Sequence, residues 1–288
     1  ELGVKIVIGP VFQKNLKNLD QIEGIKFLSL TNKIHSNSKN IITTGINANS
    51  QLLAIKKFIK ENEIKKTIFL TPNVEYKNEI KKSIKSSKIK IIKNYFYDSE
   101  PTKLTKQIEK ITNYKIRKQN LIDEITRLEK SDDDDKEKLI EKLKKRDTLG
   151  GVFFDSLIIA DFEESLKSVT TSLLYTDVSP KKKYFITLNQ WFDRSLLKET
   201  SSQPIYFPSI NKKNYEEFKE EYFEKFNHYP NQLSFLSFDL IGLIYYLVLQ
   251  NNLEIDEKLF IKKNKFKGKI GIFEIKNNKI NHVLNFYK

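Results

Sequence analysis

VKIVIGPVFQKN, residues 4–15, is the stretch of sequence from which the fold follows. Its apolar half, Val4–Ile8, is dense in the β-branched residues that favour a buried strand. Gly9 and Pro10 end the strand, because glycine permits unusual backbone angles and proline presets those of a turn. The polar residues that follow predict a helical segment, so the stretch is one strand–loop–helix unit.

This unit recurs along the chain, and its repetition predicts a parallel sheet with helices on both faces. We expect one parallel sheet to contain residues 66–71, 89–96, 152–159 and 183–188. Further strands are predicted at 24–32, 41–46 and 204–208, and helices at 49–60, 74–86, 162–174, 212–226 and 231–250. Ligands bind such sheets where the strands end, so the pattern indicates a binding cleft rather than a reaction.

Two hairpins are predicted from other patterns. Residues 102–147 carry apolar residues at three- and four-residue steps among charges, which predicts a helical hairpin tipped by Asp132–Asp135. A calcium site at these aspartates is the alternative, although no glycine-containing EF-hand spacing supports it. Near the end of the chain, 269–275 and 280–286 predict a β-hairpin with Asn277 and Asn278 at the turn.

The composition narrows the function classes. The net charge is +14, but nearly all of it comes from lysines that are scattered among acids, so we expect no nucleic-acid partner. The absence of cysteine excludes disulfides and thiolate metal sites. A membrane span needs about 18–20 apolar residues. The longest candidate, Leu233–Leu249, contains polar residues and predicts a buried helix instead.

No motif of a hydrolase elbow, zinc protease, P-loop or dinucleotide fold is present in the sequence. The histidines, at 35, 228 and 282, lie in unrelated contexts, and Asp155 is a candidate buried acid without a defensible triad. We therefore expect a protein that is not an enzyme and that uses no metal and no cofactor.

Four strand-end segments, taken in order, resemble the type I periplasmic binding proteins, such as the leucine/isoleucine/valine receptors. They are IGPVFQ, FLSLTN, TTGINANSQLLAIKKFI and KTIFLTPNVEYKNEI. The later pattern Phe218, Tyr222, Phe226, Pro230 also resembles the family, and it leads into a helix with Phe238-Asp239-Leu240 where the family has Tyr-Asp-Ala. The chain departs from the family in having Lys77, where a glycine often follows the tyrosine equivalent to Tyr76.

Within this family the chain is most similar to lipoproteins that activate penicillin-binding proteins. That branch has a charged helical hairpin before a segment matched by Thr148-Leu149-Gly150 and by Phe154-Asp155-Ser156-Leu157. A loose match follows at Trp191-Phe192-Asp193, and a later one at Phe266, Gly268 and Gly271-Ile272-Phe273.

The resemblance implies an α/β, two-lobed type I periplasmic-binding-protein-like fold, with parallel sheets flanked by helices. It also implies a helical hairpin insertion in lobe II, and the opening βαβ of lobe I is missing from the sequence. Lobe I is expected to hold 1–65 and 209–267. Lobe II is expected to hold 66–208, with the hairpin at 102–147, and the C-terminal hairpin at 268–288.

By the same resemblance, ligand-binding residues are expected where the strands end. The candidates are Pro10, Phe12, Ser29, Thr31, Asn32, Gly45, Asn47, Tyr76, Asp161, Asn189, Trp191 and Tyr206. Small hydroxyls and backbone amides at helix starts suit a carboxylate. For Ser29 and Thr31 the alternative is that they cap a helix, and for Trp191 and Tyr206 that they pack between lobes.

Two functions remain open from the sequence. The nearest branch implies a non-enzymatic regulator of peptidoglycan synthesis that binds a cell-wall synthase, in the periplasm or anchored to the outer membrane by an upstream lipid. The alternative is a substrate-binding receptor that delivers an amino acid or similar solute to an ABC transporter. A receptor needs a free carboxylate for the ligand's ammonium, and Asp161 is the candidate. If Asp161 and Glu164 instead form a capping box for their helix, the regulator is favoured.

Overall fold

A computed structural model describes residues 3–33, 38–192, 194–256, 258–269 and 271–288 of the chain. His35 and Asp193 lie outside the described residues. The strands are β1 Ile6–Ile8, β2 Lys26–Ser29, β3 Ile41–Thr43, β4 Thr67–Pro72, β5 Lys93–Tyr97, β6 Ser156–Ile159, β7 Tyr184–Thr187, β8 Ile205–Ser209, β9 Asn264–Lys267, β10 Ile272–Lys276, β11 Lys279–Val283 and β12 Asn285–Tyr287. The helices are α1 Ala48–Glu61, α2 Lys77–Ser87, α3 Pro101–Ile111, α4 Tyr114–Glu129, α5 Lys136–Lys144, α6 Glu163–Tyr175, α7 Arg194–Leu197, α8 Lys212–Phe226 and α9 Gln232–Gln250.

The chain divides into two compact units. Unit 1 comprises Glu1–Phe58, Asn78–Ile89 and Pro208–Tyr287. Its parallel sheet has the order β1-β2-β3, with Val7 paired to Phe27 and Leu28 paired to Ile42. The opening stretch forms strand β1, as its β-branched residues predict. Apolar residues of these strands pack against the short helical turns between β1 and β2.

Unit 1 also contains the antiparallel sheet β11-β10-β9. Asn277 and Asn278 form the turn between β10 and β11 with φ of 51° and 57°, the two positive angles that a type I′ hairpin turn requires. The predicted hairpin is therefore confirmed, although its second strand is divided into β11 and β12. Strand β11 bonds to unit 1, where His282 contacts Thr44 and Ser50. The assignment of 268–288 as a whole to lobe II remains a prediction.

Unit 2 comprises Ile59–Lys77, Lys90–Phe207 and Lys288. Its strands β8-β7-β6-β4-β5 lie side by side and all pair in parallel. The prediction that segments within 66–71, 89–96, 152–159 and 183–188 share one parallel sheet is confirmed. Both faces of the sheet are buried. One face carries the main core, which includes Ile68, Leu70, Leu157, Ile159 and Phe185, and the intervening residues Phe69, Ile158 and Ile186 are buried on the other face. The predicted lobe boundaries as a whole remain a prediction.

The strand predicted at 152–159 is shorter in the structure, where β6 begins at Ser156. Phe154 is buried in the core before the strand starts. Asp155 is partly exposed rather than buried, and its carboxylate accepts a hydrogen bond from the backbone N–H of Lys66 at 3.0 Å. This acid therefore joins the beginnings of two neighbouring strands.

The predicted helical hairpin at 102–147 is three helices. The first, α3, packs into the unit 2 core through Leu104, Ile108 and Ile111 and is not part of a projecting insertion. Asn113, with φ of 52°, separates α3 from α4. The antiparallel pair is formed by α4 and α5, and residues 130–135 connect them, so the acidic turn lies at the predicted place.

Helix α9 has the length and composition of a membrane span, a test that core helices of soluble proteins also pass. One face is buried in unit 1 through Phe235, Leu236, Leu240, Leu243 and Leu247. The prediction of a buried helix holds for this face alone, because apolar residues on another face are exposed.

Candidate functional site

In unit 2 the functional candidates follow the carboxyl ends of β4, β5, β6 and β7. Tyr76 comes after β4, Tyr97 is the last residue of β5, Asp161 follows β6, and Gln190 follows β7. Parallel neighbours end at the same edge of a sheet, which is why residues so distant in sequence meet there. We call these four residues the tyrosine–aspartate cluster.

Asp161 is the centre of this cluster, and only 5% of its surface is exposed. Its Oδ2 accepts a hydrogen bond of 2.7 Å from the hydroxyl of Tyr97, which is wholly buried. Its Oδ1 accepts one of 3.0 Å from the backbone N–H of Phe162. Burial raises the pKa of the Asp161 carboxyl, and the two hydrogen bonds oppose that rise.

The predicted capping box of Asp161 and Glu164 is wrong. Helix α6 begins at Glu163, its N-cap residue is Phe162, and no side chain caps it. Glu163 has a φ of 49°, so the backbone turns at the start of α6 and Asp161 stands outside the capping position. The carboxylate of Asp161 therefore holds its neighbouring residue and a tyrosine from another strand, not the helix end.

Tyr76 lies at the same carboxyl-end edge of the unit 2 sheet. Its hydroxyl donates a hydrogen bond of 3.1 Å to the carbonyl oxygen of Ala160, and its ring meets that of Phe162 edge-on at 6.2 Å. Burial and the charge of Asp161 raise the pKa of both Tyr76 and Tyr97. Both tyrosines are thus protonated at neutral pH and act as hydrogen-bond donors.

The loop after β7 supplies the remaining candidates of unit 2. Gln190, which the sequence did not single out, donates from its side-chain amide to the carbonyl oxygen of Asp161 at 3.3 Å and to that of Leu188 at 3.2 Å. Asn189 accepts a hydrogen bond of 3.0 Å from the backbone N–H of Trp191. Trp191 is half-buried and has a φ of 49°. Tyr206 packs on Tyr184, with ring centroids 5.3 Å apart.

In unit 1 the candidates meet at the ends of β1, β2 and β3. The buried hydroxyl of Ser29 donates to the carbonyl oxygen of Pro10 at 2.7 Å. Thr31 accepts a hydrogen bond of 3.2 Å from the backbone N–H of Lys33. Neither hydroxyl caps a helix, so that alternative is wrong. Instead each fixes a strand-end loop, and we call Pro10, Ser29, Thr31 and Gly45 the serine–threonine cluster.

Gly45 lies so close to the β2 loop that a methyl group there would stand 2.5 Å from the carbonyl oxygen of Thr31. Thr44, which the sequence analysis missed, donates its backbone N–H and its hydroxyl to the carbonyl oxygen of Ser29 at 2.8 and 2.9 Å. Asn47 is buried and caps α1, because its side-chain oxygen accepts from the N–H of Ser50 at 2.9 Å.

Two unit 1 candidates remain on the surface: Phe12 is 62% exposed, and Asn32 is exposed. Among the residues that the structure describes, no group of three His, Asp or Glu side chains could hold a metal ion. Both clusters are thus networks of buried donors and acceptors that position loops. Buried polar networks whose members are satisfied make the surrounding structure rigid.

No family model and no curated protein sequence matches the chain. Solved structures do match. The C-domain of LpoA from Haemophilus influenzae, a regulator of PBP1A, has a TM-score of 0.63 and 13% identity, over 99% of this chain and 80% of that one. The leucine-binding protein LivK from Thermotoga maritima has a TM-score of 0.54 and 13% identity, over 96% and 73%.

A solute-binding protein of an ABC transporter from Rhodopseudomonas palustris, in complex with 3,4-dihydroxybenzoic acid, has a TM-score of 0.54 and 14% identity, over 99% of this chain and 73% of that one. These structural neighbours are named as binding proteins or as a regulator, not as enzymes. The chain has the fold of the type I periplasmic binding proteins, so the predicted fold class and resemblance are confirmed.

Proposed function

We propose that this chain, with the fold of a type I periplasmic binding protein, is a non-enzymatic regulator that binds a cell-wall synthase of the penicillin-binding-protein class. The observation that supports this role is the state of Asp161, the expected anchor for the ammonium of an amino acid. Its two oxygens already accept hydrogen bonds from Tyr97 and Phe162, and the side chain is buried.

The energetics of both clusters support the same proposal. A ligand that took over Asp161 or Ser29 would have to compete with bonds made inside the protein. A buried donor or acceptor left without a partner costs about 1–3 kcal/mol. The wholly buried hydroxyl of Tyr97 would be left in that state, and this penalty weighs against a free amino acid as the natural ligand.

The alternative is a substrate-binding receptor of an ABC transporter for an amino acid or a similar solute. One observation favours it: an ionised carboxylate has about four lone-pair sites, and the hydrogen bonds to Asp161 use two of them. A ligand that added a third bond without displacing Tyr97 would avoid the penalty. Two of the structural neighbours described above carry the names of such receptors.

The proposed regulator acts in the periplasm, where a lipid anchor upstream would hold it at the outer membrane, and it binds no nucleic acid. Its likeness to the H. influenzae regulator of PBP1A supports this placement. The candidate residues of both clusters then serve to fix the loops around the proposed recognition surface rather than to contact a solute.

Two measurements on the same preparation test the proposal. Isothermal calorimetry against free amino acids and benzoates should give no saturable heat, whereas biolayer interferometry with a purified penicillin-binding protein should give saturable binding. The Asp161→Asn variant keeps an acceptor for Tyr97 and should bind the synthase like the wild type. Micromolar amino-acid binding that Asp161→Asn abolishes, without synthase binding, would establish the receptor instead.

A further inference from the structure

The C-terminal hairpin of β10 and β11 bonds to both ends of strand β3. Asn278, in the turn of the hairpin, donates from its side-chain amide to the carbonyl oxygen of Lys39 at 3.2 Å, before β3 begins. His282, in β11, places its ring Nε2 2.7 Å from the carbonyl oxygen of Thr44, directly after β3. Because β3 lies at the edge of the sheet β1-β2-β3, these bonds add to those that it makes with β2 alone in that sheet.

The ring of His282 is held in one orientation. The side chain is buried, and the backbone N–H of His282 donates to the hydroxyl oxygen of Ser50 in α1 at 3.0 Å. The ring lies 4.7 Å from the ring of Phe273, its partner on β10. Since a carbonyl oxygen can only accept, the bond to Thr44 assigns the ring proton to Nε2. The imidazole is therefore a buried donor to the backbone of the loop after β3.

Thr44 joins His282 to the serine–threonine cluster. Its backbone N–H and its hydroxyl both donate to the carbonyl oxygen of Ser29, at 2.8 and 2.9 Å. The hydroxyl of Ser29 donates in turn to the carbonyl oxygen of Pro10, at 2.7 Å. Thr44 and Ser29 are both buried. A continuous path of hydrogen bonds thus runs from the hairpin to the loops after β3, β2 and β1.

The two ends of β3 differ in what the loss of the hairpin bond would do. The carbonyl oxygen of Lys39 also accepts from the side chain of Lys26 at 2.7 Å, and Lys39 is exposed, so this oxygen keeps a donor without Asn278. The carbonyl oxygen of Thr44 lies among buried groups, and an unpaired buried acceptor is unfavourable. Without His282 it can reach water only if its loop moves, and Thr44 then moves away from Ser29.

We infer that His282 is a positioning residue of unit 1, which through Thr44 holds the loops after β1, β2 and β3 in the arrangement of the serine–threonine cluster. Because its side chain is buried, His282 acts on the surface through these loops and not by touching a partner. These loops surround the recognition surface of the proposed function, on which a role of His282 in synthase binding rests. The hydrogen-bond path itself requires no partner.

Hydrogen exchange of the native chain, followed by mass spectrometry, measures the loops directly. His282→Ala should raise the exchange rates of residues 28–33 and 42–47 by about tenfold, as expected when a buried hydrogen bond is lost. Residues 235–247 of α9, in the same unit, should exchange as in the wild type. His282→Gln, which can still donate to Thr44, should restore slow exchange in the loops.

The matched control changes the other end of the same hairpin. Asn278→Gly removes the bond to Lys39 and keeps the positive φ of 57° that the turn requires. It should leave the exchange of residues 28–33 and 42–47 unchanged. Faster exchange of these loops in Asn278→Gly, equal to that in His282→Ala, would assign the effect to the hairpin as a whole and would overturn the role of His282.

An equal rise in the loops and in α9 would show a loss of global stability alone and would also overturn the inference, as would unchanged loops in folded His282→Ala protein. If His282→Ala does not fold, Thr44→Val replaces it, because valine lacks the hydroxyl that donates to Ser29. This variant should raise exchange at residues 28–33, and unchanged exchange there would contradict the path.

Biolayer interferometry with the purified penicillin-binding protein separates the positioning role from the proposed function. His282→Ala should weaken synthase binding by about tenfold, in proportion to the opening of the loops, whereas Asn278→Gly should bind like the wild type. Wild-type protein that gives the expected exchange pattern but binds no synthase would contradict the proposed function and leave the positioning role of His282 established. Synthase binding that is unchanged in His282→Ala, with opened loops, would overturn the role of these loops in recognition.

Discussion

Asp161 and Tyr97 form a bond that crosses a strand. Asp161 follows β6 and Tyr97 ends β5, and β4 lies between those two strands in the sheet. The bond therefore holds the carboxyl ends of three strands in register with one another. Hydrogen bonds to charged groups stabilise a fold more than neutral ones, by about 1.5–3 kcal/mol.

Replacing this carboxylate tests its structural role. Asp161→Ala should lower the free energy of unfolding by about 1–3 kcal/mol, because the buried Tyr97 hydroxyl loses its acceptor. Asp161→Asn keeps one of the two acceptor oxygens, enough for Tyr97 but not also for Phe162, and should lower it less. Urea denaturation followed by circular dichroism measures both variants. Equal losses for the two would show that charge, and not the bond to Tyr97, is what matters at this position.

The shifted pKa of Asp161 makes the stability of the fold depend on pH. Burial raises the folded-state pKa above that of the unfolded chain. The contribution of Asp161 to stability is therefore full at a pH below its unfolded pKa and is lost as the pH rises through its folded pKa. Asp161→Asn removes this dependence. The free energy of unfolding of the variant should therefore fall below that of the wild type by the smallest amount at neutral pH.

His282 has the opposite dependence. It is buried in unit 1, its Nε2 lies 2.7 Å from the carbonyl oxygen of Thr44, and burial lowers its pKa to about 4. The unfolded chain binds a proton at a pKa of about 6.5, so stability falls by about 2 kcal/mol between pH 8 and pH 5. Melting temperatures across this range should show the loss.

The matched comparison uses two histidine variants. His282→Gln can still donate to Thr44 and should have a flatter pH profile than the wild type. His228→Gln changes an exposed histidine of the same unit and should leave the profile unchanged. If the two variants have the same profile, His282 is not the source of the pH dependence.

At the scale of elements, the close approach of β2 and β3 depends on Gly45. A Cβ atom there would meet the backbone of Thr31, which cannot move aside as a side chain would. Gly45→Ala should therefore cost about 1–3 kcal/mol, as overpacking does. Gly151→Ala is the control, since a Cβ atom there meets nothing within 4 Å. Equal stability of the two variants in urea would contradict this packing.

The turn between α4 and α5 contains a protease recognition sequence, which makes it possible to test whether the α4–α5 pair is needed for the fold. Residues 132–136, Asp-Asp-Asp-Asp-Lys, are the recognition sequence of enteropeptidase. The four aspartates are exposed, whereas Lys136 is partly buried and begins α5, so this protease should cut after Lys136 when the first turn of α5 opens. Because the cut leaves α3 and the main core of unit 2 intact, the nicked chain should remain folded by circular dichroism and stay together on gel filtration. Loss of the fold after this cut would show that the α4–α5 pair is structurally required.

The elements themselves were predictable where local pattern and burial agree. Apolar runs ending in Gly or Pro predicted β1 and β4, and the paired asparagines predicted the β10–β11 turn. The candidate site was less predictable, because its hydrogen bonds join distant residues. Tyr97 lies 64 residues from Asp161 and carried no signal beyond that of an aromatic residue at the end of a strand. The positive φ of Glu163, which separates Asp161 from α6, likewise has no marker in the sequence.

At the scale of the whole molecule, the charge of +14 raises the question of nucleic acid. Specific recognition favours arginines that reach phosphates and bases. In this chain Arg117 is buried, where it donates to the carbonyl oxygen of Thr112 at 3.0 Å. Arg127 makes two hydrogen bonds of 2.8 Å to Glu124. We expect the lysines scattered over helix faces to supply a diffuse positive field rather than an organised nucleic-acid-binding surface.

Diffuse charge of this kind predicts weak, salt-sensitive binding. Affinity that comes from counterion release falls by about 10³–10⁵ between roughly 50 and 200 mM salt when six to ten phosphates are contacted. Fluorescence anisotropy with labelled duplex DNA and single-stranded RNA should therefore show weak binding at low salt and none in the micromolar range at about 200 mM. Arg127→Gln should leave even the low-salt binding nearly unchanged, because its guanidinium is already paired with Glu124. Sub-micromolar affinity that persists at the higher salt concentration would require an organised basic surface and would contradict this account of the charge.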